Sequence, residues 1–117
     1  MLFRSRREEA LKTFKALVAK KPEHYVGWTS MGNVLRDLAR PEEALEAFQR
    51  ALALAPTDPA VHYAMAATFA SLKKKDAMLQ SLAKAFQNDG EFKDEALNDP
   101  AFKPFWEDRE FKDLAEG

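Results

Sequence analysis

The side chains of this sequence that could do chemistry are few and lie far apart. His24 and His62 share no metal-ligand spacing, and no cysteine stands beside them. The lack of cysteine also excludes disulfides, zinc–thiolate sites and thiol nucleophiles. Ser5, Ser30, Ser71 and Ser81 lack the glycine-flanked turn that exposes a nucleophilic hydroxyl. Four glycines, scattered along the chain, build no phosphate-cradling loop. The carboxylate pairs Glu8-Glu9 and Glu42-Glu43 each open an apolar-periodic stretch. In a first helical turn such charges complement the helix dipole, which is a structural role. No convergent set of polar groups emerges, so no catalytic residue, metal or cofactor is expected, and no enzyme.

Composition is that of a globular chain: 117 residues, 46% hydrophobic and 32% charged. No apolar run approaches the ~18 residues that span a bilayer. The opening "MLFRSRREEALK" has no apolar core of the signal-peptide kind. A soluble, cytoplasmic protein without membrane association is expected. The net charge of −1 hides an asymmetry. Residues 1–21 carry seven Lys/Arg and two Asp/Glu; residues 22–88 balance at seven each; residues 89–117 carry four basic and ten acidic residues. The ends therefore stand at +5 and −6. "RSRR" and "KKK" could touch phosphates, but no basic face runs through the chain, and nucleic acid is not an expected partner.

The elements that would position any site are helices. "EEALKTFKALVAKKP" from Glu8 returns 34 residues later as "EEALEAFQRALALAP" from Glu42. In the first copy Ala10, Leu11, Phe14, Leu17 and Val18 make one helical stripe, with Ser5 and Glu8 spaced as a capping box and Pro22 closing the stretch. A second helix is expected from Glu23 to Leu38, where Gly32 costs about 1 kcal/mol against Ala and implies a close neighbour. A third runs from Pro41 to Leu54. Asp58 and Pro59 start a fourth that reaches Leu72. Asp76 caps a fifth through Gln87, which "NDG" at 88–90 closes with a left-handed cap. Nothing alternates as a strand does. The chain is all-α, with short connections between antiparallel helices.

A two-helix period of 34 residues resembles the tetratricopeptide repeat. The residues that carry the resemblance are Trp28, Met31-Gly32, Leu35, Ala44, Phe48, Ala51 and Pro56 in repeat 25–58. His62, Met65-Ala66, Phe69, Met78, Leu82 and Ala85 carry it more loosely in 59–92, with Gly90 where proline is expected. Ala10, Phe14, Leu17 and Pro22 fit the second half of a preceding repeat. The resemblance implies an α-solenoid of helix hairpins: residues 1–24 a lone helix B, 25–58 and 59–92 full repeats, 93–117 a capping segment. His62 takes the place of a packed aromatic. The lone first helix leaves three arrangements open: a fragment of a longer array, a natural cap with Leu2 and Phe3 folded over it, or cover from a second molecule.

After residue 92 the register would put Pro100 inside a helix, at a cost of about 3 kcal/mol. A third ordinary repeat is therefore excluded. "NDPAF" and "EDREF" read instead as two short starts at Asp99 and Asp108, and Phe92, Leu97, Phe102, Phe105, Trp106, Phe111 and Leu114 supply a cap that folds back on the last hairpin.

Members of this family bind protein segments in a concave groove lined by the first helix of each repeat. The resemblance assigns groove positions to Val26, Thr29, Ser30, Asn33, Arg36 and Asp37 in the first full repeat. In the second it assigns Ala60, Tyr63, Ala64, Ala67, Ala70 and Ser71. The implied function is a protein-interaction adaptor for a peptide or protein segment, with a self-assembling scaffold as the alternative. The chaperone-binding branch places Lys, Asn and Arg where this chain has Thr29, Ala64, Asp94 and Asn98; only Asn33 matches, so the C-terminal tail of Hsp70 or Hsp90 is not an expected ligand.

Overall fold

The computed structural model describes residues 2–117, with the side chains of residues 4–117. The chain falls into two compact units, Met1–Pro56 and Thr57–Gly117. In the first, α1 (Leu2–Lys20) packs on α2 (Tyr25–Asp37), and α2 packs on α3 (Pro41–Leu54). In the second, α4 (Pro59–Ser71) pairs with α5 (Lys75–Asn88). Helix α6 (Phe92–Asn98), a 3-10 segment (Pro100–Phe105) and α7 (Arg109–Glu116) follow. Every described element is helical, as the periodicity requires.

Helix α1 begins earlier than the capping box implied. Leu2 is already helical, and Ser5 sits inside the helix, exposed, so the Ser5–Glu8 box does not form. Leucine and arginine are good helix formers and carry the helix past the serine. Arg4 instead lies 3.9 Å from Glu8, one turn on. Leu11 and Val18 are buried in the first unit, while Ala10, Phe14 and Leu17 are half-buried. The expected cover by Leu2 and Phe3 falls outside the described side chains.

Helix α2 starts at Tyr25 because His24 is its cap: the Gly27 N–H donates to His24 Nδ1 at 2.9 Å. The Trp28 indole N–H donates back to the Pro22 carbonyl at 2.8 Å, which fixes the corner between α1 and α2. Gly27 lies under α1, where a Cβ would meet Leu17 and Val18 at 3.1–3.2 Å. Gly32 lies under α3, where a Cβ would meet the Phe48 ring at 2.5 Å. The close neighbour implied by Gly32 is thus the fully buried Phe48. Arg40 precedes α3 and grips Glu43 through both its Nε and its Nη2, the latter at 2.9 Å from Oε1. That fork holds the Glu43 carboxyl below its ordinary pKa.

Both helix-hairpin turns are closed by a left-handed residue, and neither is glycine. Ala39 has φ 60° and Lys73 has φ 59°. In the first turn the Arg40 N–H bonds to the Leu35 carbonyl and Ala39 N–H to Arg36; in the second, Lys74 bonds to Phe69 and Lys73 to Ala70. This is the Schellman pattern, repeated one period apart. The cap expected at Gly90 is not left-handed. Asp89 ends α5 in an extended conformation, and its Oδ1 accepts from the Glu91 N–H at 3.0 Å. An aspartate turn does there what a glycine would have done.

The core of the second unit is built from α4, α5 and the C-terminal segment. Tyr63, Ala66, Ala67 and Ala70 of α4 meet Met78, Leu82, Ala85 and Phe86 of α5 in one cluster, which Ala96, Phe102, Phe111 and Ala115 complete. Phe102 and Phe111 are fully buried, with ring centroids 5.9 Å apart, and each stabilises by about 1.5–3 kcal/mol through burial. Asp58, Asp99 and Asp108 cap their helices by accepting from Ala60, Ala101 and Phe111 N–H groups. Pro100 sits at the start of the 3-10 segment, where its missing N–H costs nothing.

Candidate protein-interaction face

Helix α2 turns two different faces outward and inward. At 100° per residue, Gly27, Gly32 and Leu35 share one side, and these are its buried residues. Val26, Thr29, Ser30, Asn33 and Asp37 fall on the opposite side, with Arg36 at its edge. Val26 and Asp37 are exposed, Val26 with 52% of its surface open; Thr29, Ser30, Asn33 and Arg36 are half-buried. The Thr29 hydroxyl donates to the Tyr25 carbonyl one turn back at 3.0 Å. No hydrogen bond ties the Asn33 amide to another described residue, so it keeps both a donor and an acceptor for a peptide backbone. This face is polar with one aliphatic end, and it is held stiff by the Gly32–Phe48 contact behind it.

The second set of expected groove residues is placed differently. Tyr63 is only 7% exposed. Its ring stands against Phe92 and Phe102, at centroid distances of 4.9 and 5.5 Å. Its hydroxyl donates to Asp99 Oδ2 at 2.8 Å. Ala64, Ala67 and Ala70 are buried as well, whereas Ala60 and Ser71 are exposed. Tyr63, Ala67 and Ala70 are therefore core residues of the second unit rather than surface contacts. The physical reason is the return of α6 and the 3-10 segment onto α4, which buries apolar rings against its small side chains. The alanine-rich stretch signalled that return; the tyrosine, with a polar tip that needs a partner when buried, found it in Asp99.

What stays open at that end of α4 is a cavity of about 400 Å³ lined by Ala70, Ser71, Lys73, Pro100, Ala101, Pro104 and Phe105. The Ser71 hydroxyl is spent on the Thr68 carbonyl, at 2.7 Å. The two histidines have structural places: His24 caps α2, and His62 is buried in α4. Among the described residues no three His, Asp or Glu side chains are grouped to hold a metal ion. No described helix is long and apolar enough to cross a membrane.

Sequence reasoning missed the His24 cap, since histidine is an uncommon N-cap and the proline two residues before it drew the boundary. It also missed the Lys75 link, in which Nζ lies 2.6 Å from Asp108 and 2.9 Å from Glu110. No spacing rule pairs residues on α5 and α7.

No curated protein matches the chain. Residues 25–58 match the family described as the tetratricopeptide repeat, and they are the stretch that forms α2, α3 and their left-handed turn. With Gly32, Leu35, Ala44, Phe48 and Ala51 all buried at the repeat's packing positions, residues 25–58 form a tetratricopeptide-repeat hairpin within an all-α chain of helix-hairpin build.

Proposed function

We propose that the chain is a protein-interaction module and that it holds an extended segment of its partner along the outward face of α2. The observation that carries this reading is the division of α2 itself. One side is consumed by packing at Gly27, Gly32 and Leu35, and the other presents Val26, Thr29, Ser30, Asn33, Arg36 and Asp37 at helical spacing. Asn33 would bond the backbone of the segment in both directions, and Val26 would take an apolar side chain. The tetratricopeptide repeat is in general a protein-interaction motif, which agrees with this role.

The test is partner capture from the native host's lysate. The double change Asn33→Ala and Asp37→Ala is run beside the wild type and beside Glu46→Ala with Gln49→Ala, two exposed positions on α3. A protein retained by wild type and by the α3 variant, and lost from the α2 variant with its helicity intact, supports the assignment. Retention by the α2 variant overturns it.

A second reading is self-assembly, as a structural scaffold. The opposed charges of residues 1–21 and 89–117 favour it.

A further inference from the structure

A groove between α5 and α7 in the second unit has no part in the face just described. Its floor is Leu79 and Ala83, one turn apart on α5, with Leu114 on α7; Gln80, Glu110 and Asp113 form the rim around about 510 Å³. The groove follows from how the two helices meet. Helix α7 turns Phe111 and Ala115 into the core, which leaves Leu114 half-buried on its flank. Helix α5 buries Met78, Leu82 and Ala85 and leaves Leu79 and Ala83 half-buried beside them. Both ionised groups on the rim are carboxylates. Glu110 is engaged by Lys75, whereas Asp113 makes no ion pair with a described residue.

Helix α1 of this same chain carries the complement. Arg7, Ala10, Phe14 and Leu17 follow one another at steps of three and four, one stripe along the helix, which Lys21 extends just past its last residue. Ala10, Phe14 and Leu17 are half-buried on the flank of α1; the cations at both ends of the stripe are exposed, although Arg7 Nη1 also donates to the Asp37 carbonyl at 3.5 Å. We propose that α1 of a second copy lies in the α5–α7 groove, head to tail. Phe14 and Leu17 rest on Leu79, Ala83 and Leu114, and a terminal cation of the stripe, Arg7 or Lys21, meets Asp113. The proposal rests on the self-assembly reading and adds where two copies meet. The wider charges agree: +5 over residues 1–21 approaches −6 over residues 89–117. Because the two surfaces differ, the contact is heterologous, and it joins copies into closed rings or open chains.

Sedimentation of the full 13.3 kDa chain over a concentration series tests this. At low salt the mass is expected to rise to at least about twice that of one chain, and to fall back at about 0.5 M salt as screening sets in. Asp113→Lys stays at the mass of one chain, as does the double change Arg7→Glu with Lys21→Glu. Mixing the two variants restores association, because the reversed charges again face one another. Glu95→Lys, an equal change of charge at an exposed position of α6, associates as the wild type does. Circular dichroism verifies each fold, and Asp113→Asn serves where the lysine disturbs α7. A wild type of single-chain mass at every concentration would overturn both the groove and the self-assembly reading. Association that survives Asp113→Lys would overturn the groove alone.

Discussion

A Cβ added to Gly32 would stand 2.5 Å from Cε1 of Phe48, a ring with no exposed surface. The ring cannot swing away, because α2 and α3 enclose it. Alanine in a helix gains about 1 kcal/mol over glycine, but overpacking of this kind costs about 1–3 kcal/mol. Gly32→Ala is therefore expected to lower stability by about 1 kcal/mol in urea unfolding, with Phe48→Leu in the same chain recovering part of the loss. The second hairpin already uses that exchange: at the equivalent positions it has Ala66 and Leu82, both fully buried. The left-handed residues give the opposite sign. Ala39→Gly and Lys73→Gly each remove a Cβ from a conformation that costs about 1 kcal/mol. Each should raise the unfolding midpoint, and a fall would show that the turn residue contributes more through its side chain than through its backbone. These positions were not legible in advance. A left-handed cap is signalled by glycine or asparagine, and the chain places its only such signal, Asn88 to Gly90, where an aspartate turn is used instead.

Elements were legible at most of their starters, though Asp76, expected to cap α5, lies inside its first turn behind Lys74. Asp58-Pro59, Asp99-Pro100 and Asp108 all cap as their types dictate. Pro100 ended the repeat pattern on steric grounds alone, and α6 stops before it. What could not be read was the consequence for α4. Burial of Tyr63 depends on where a segment some 36 residues on comes to rest, and local pattern carries no such information. The link between α5 and α7 shows the same limit and supports a prediction. Lys75 beside Asp108, with the Phe111 N–H, holds the Asp108 carboxyl below its ordinary pKa. Asp108 and Glu110 raise that of Lys75. The depressed carboxylate adds stability above its unfolded pKa, and that stability is lost as pH falls through the lower folded value. The raised ammonium adds stability below its unfolded pKa, lost as pH climbs through the higher folded one. Melting should be nearly flat in pH between those limits and should fall in acid. Asp108→Asn keeps a cap of α7 but removes the charge, so its acid limb should be shallower than that of the wild type. Equal acid limbs would show that the ion pair does not stabilise the fold.

For the molecule as a whole, the repeat explains where its surface is free to act. In the first hairpin the inward side of α2 is committed to packing, and its outward side presents the Asn33 amide and an exposed Val26. In the second, the same side of α4 is covered by the aromatic residues of the following segment, among them Phe92 and Phe102. The placement of the α2 residues on one side was thus legible, because helix period alone sets which residues of α2 oppose its glycines. The placement of the α4 residues was lost to a segment that departs from the period. The most direct test of the interaction reading is a photo-reactive residue at Ser30, on the outward face of α2, with the exposed Gln49 of α3 as control. In lysate of the native host, the reading predicts a covalent adduct of one protein at Ser30, and none of that protein at Gln49. Equal adducts at both positions, or adducts at Gln49 alone, would contradict it.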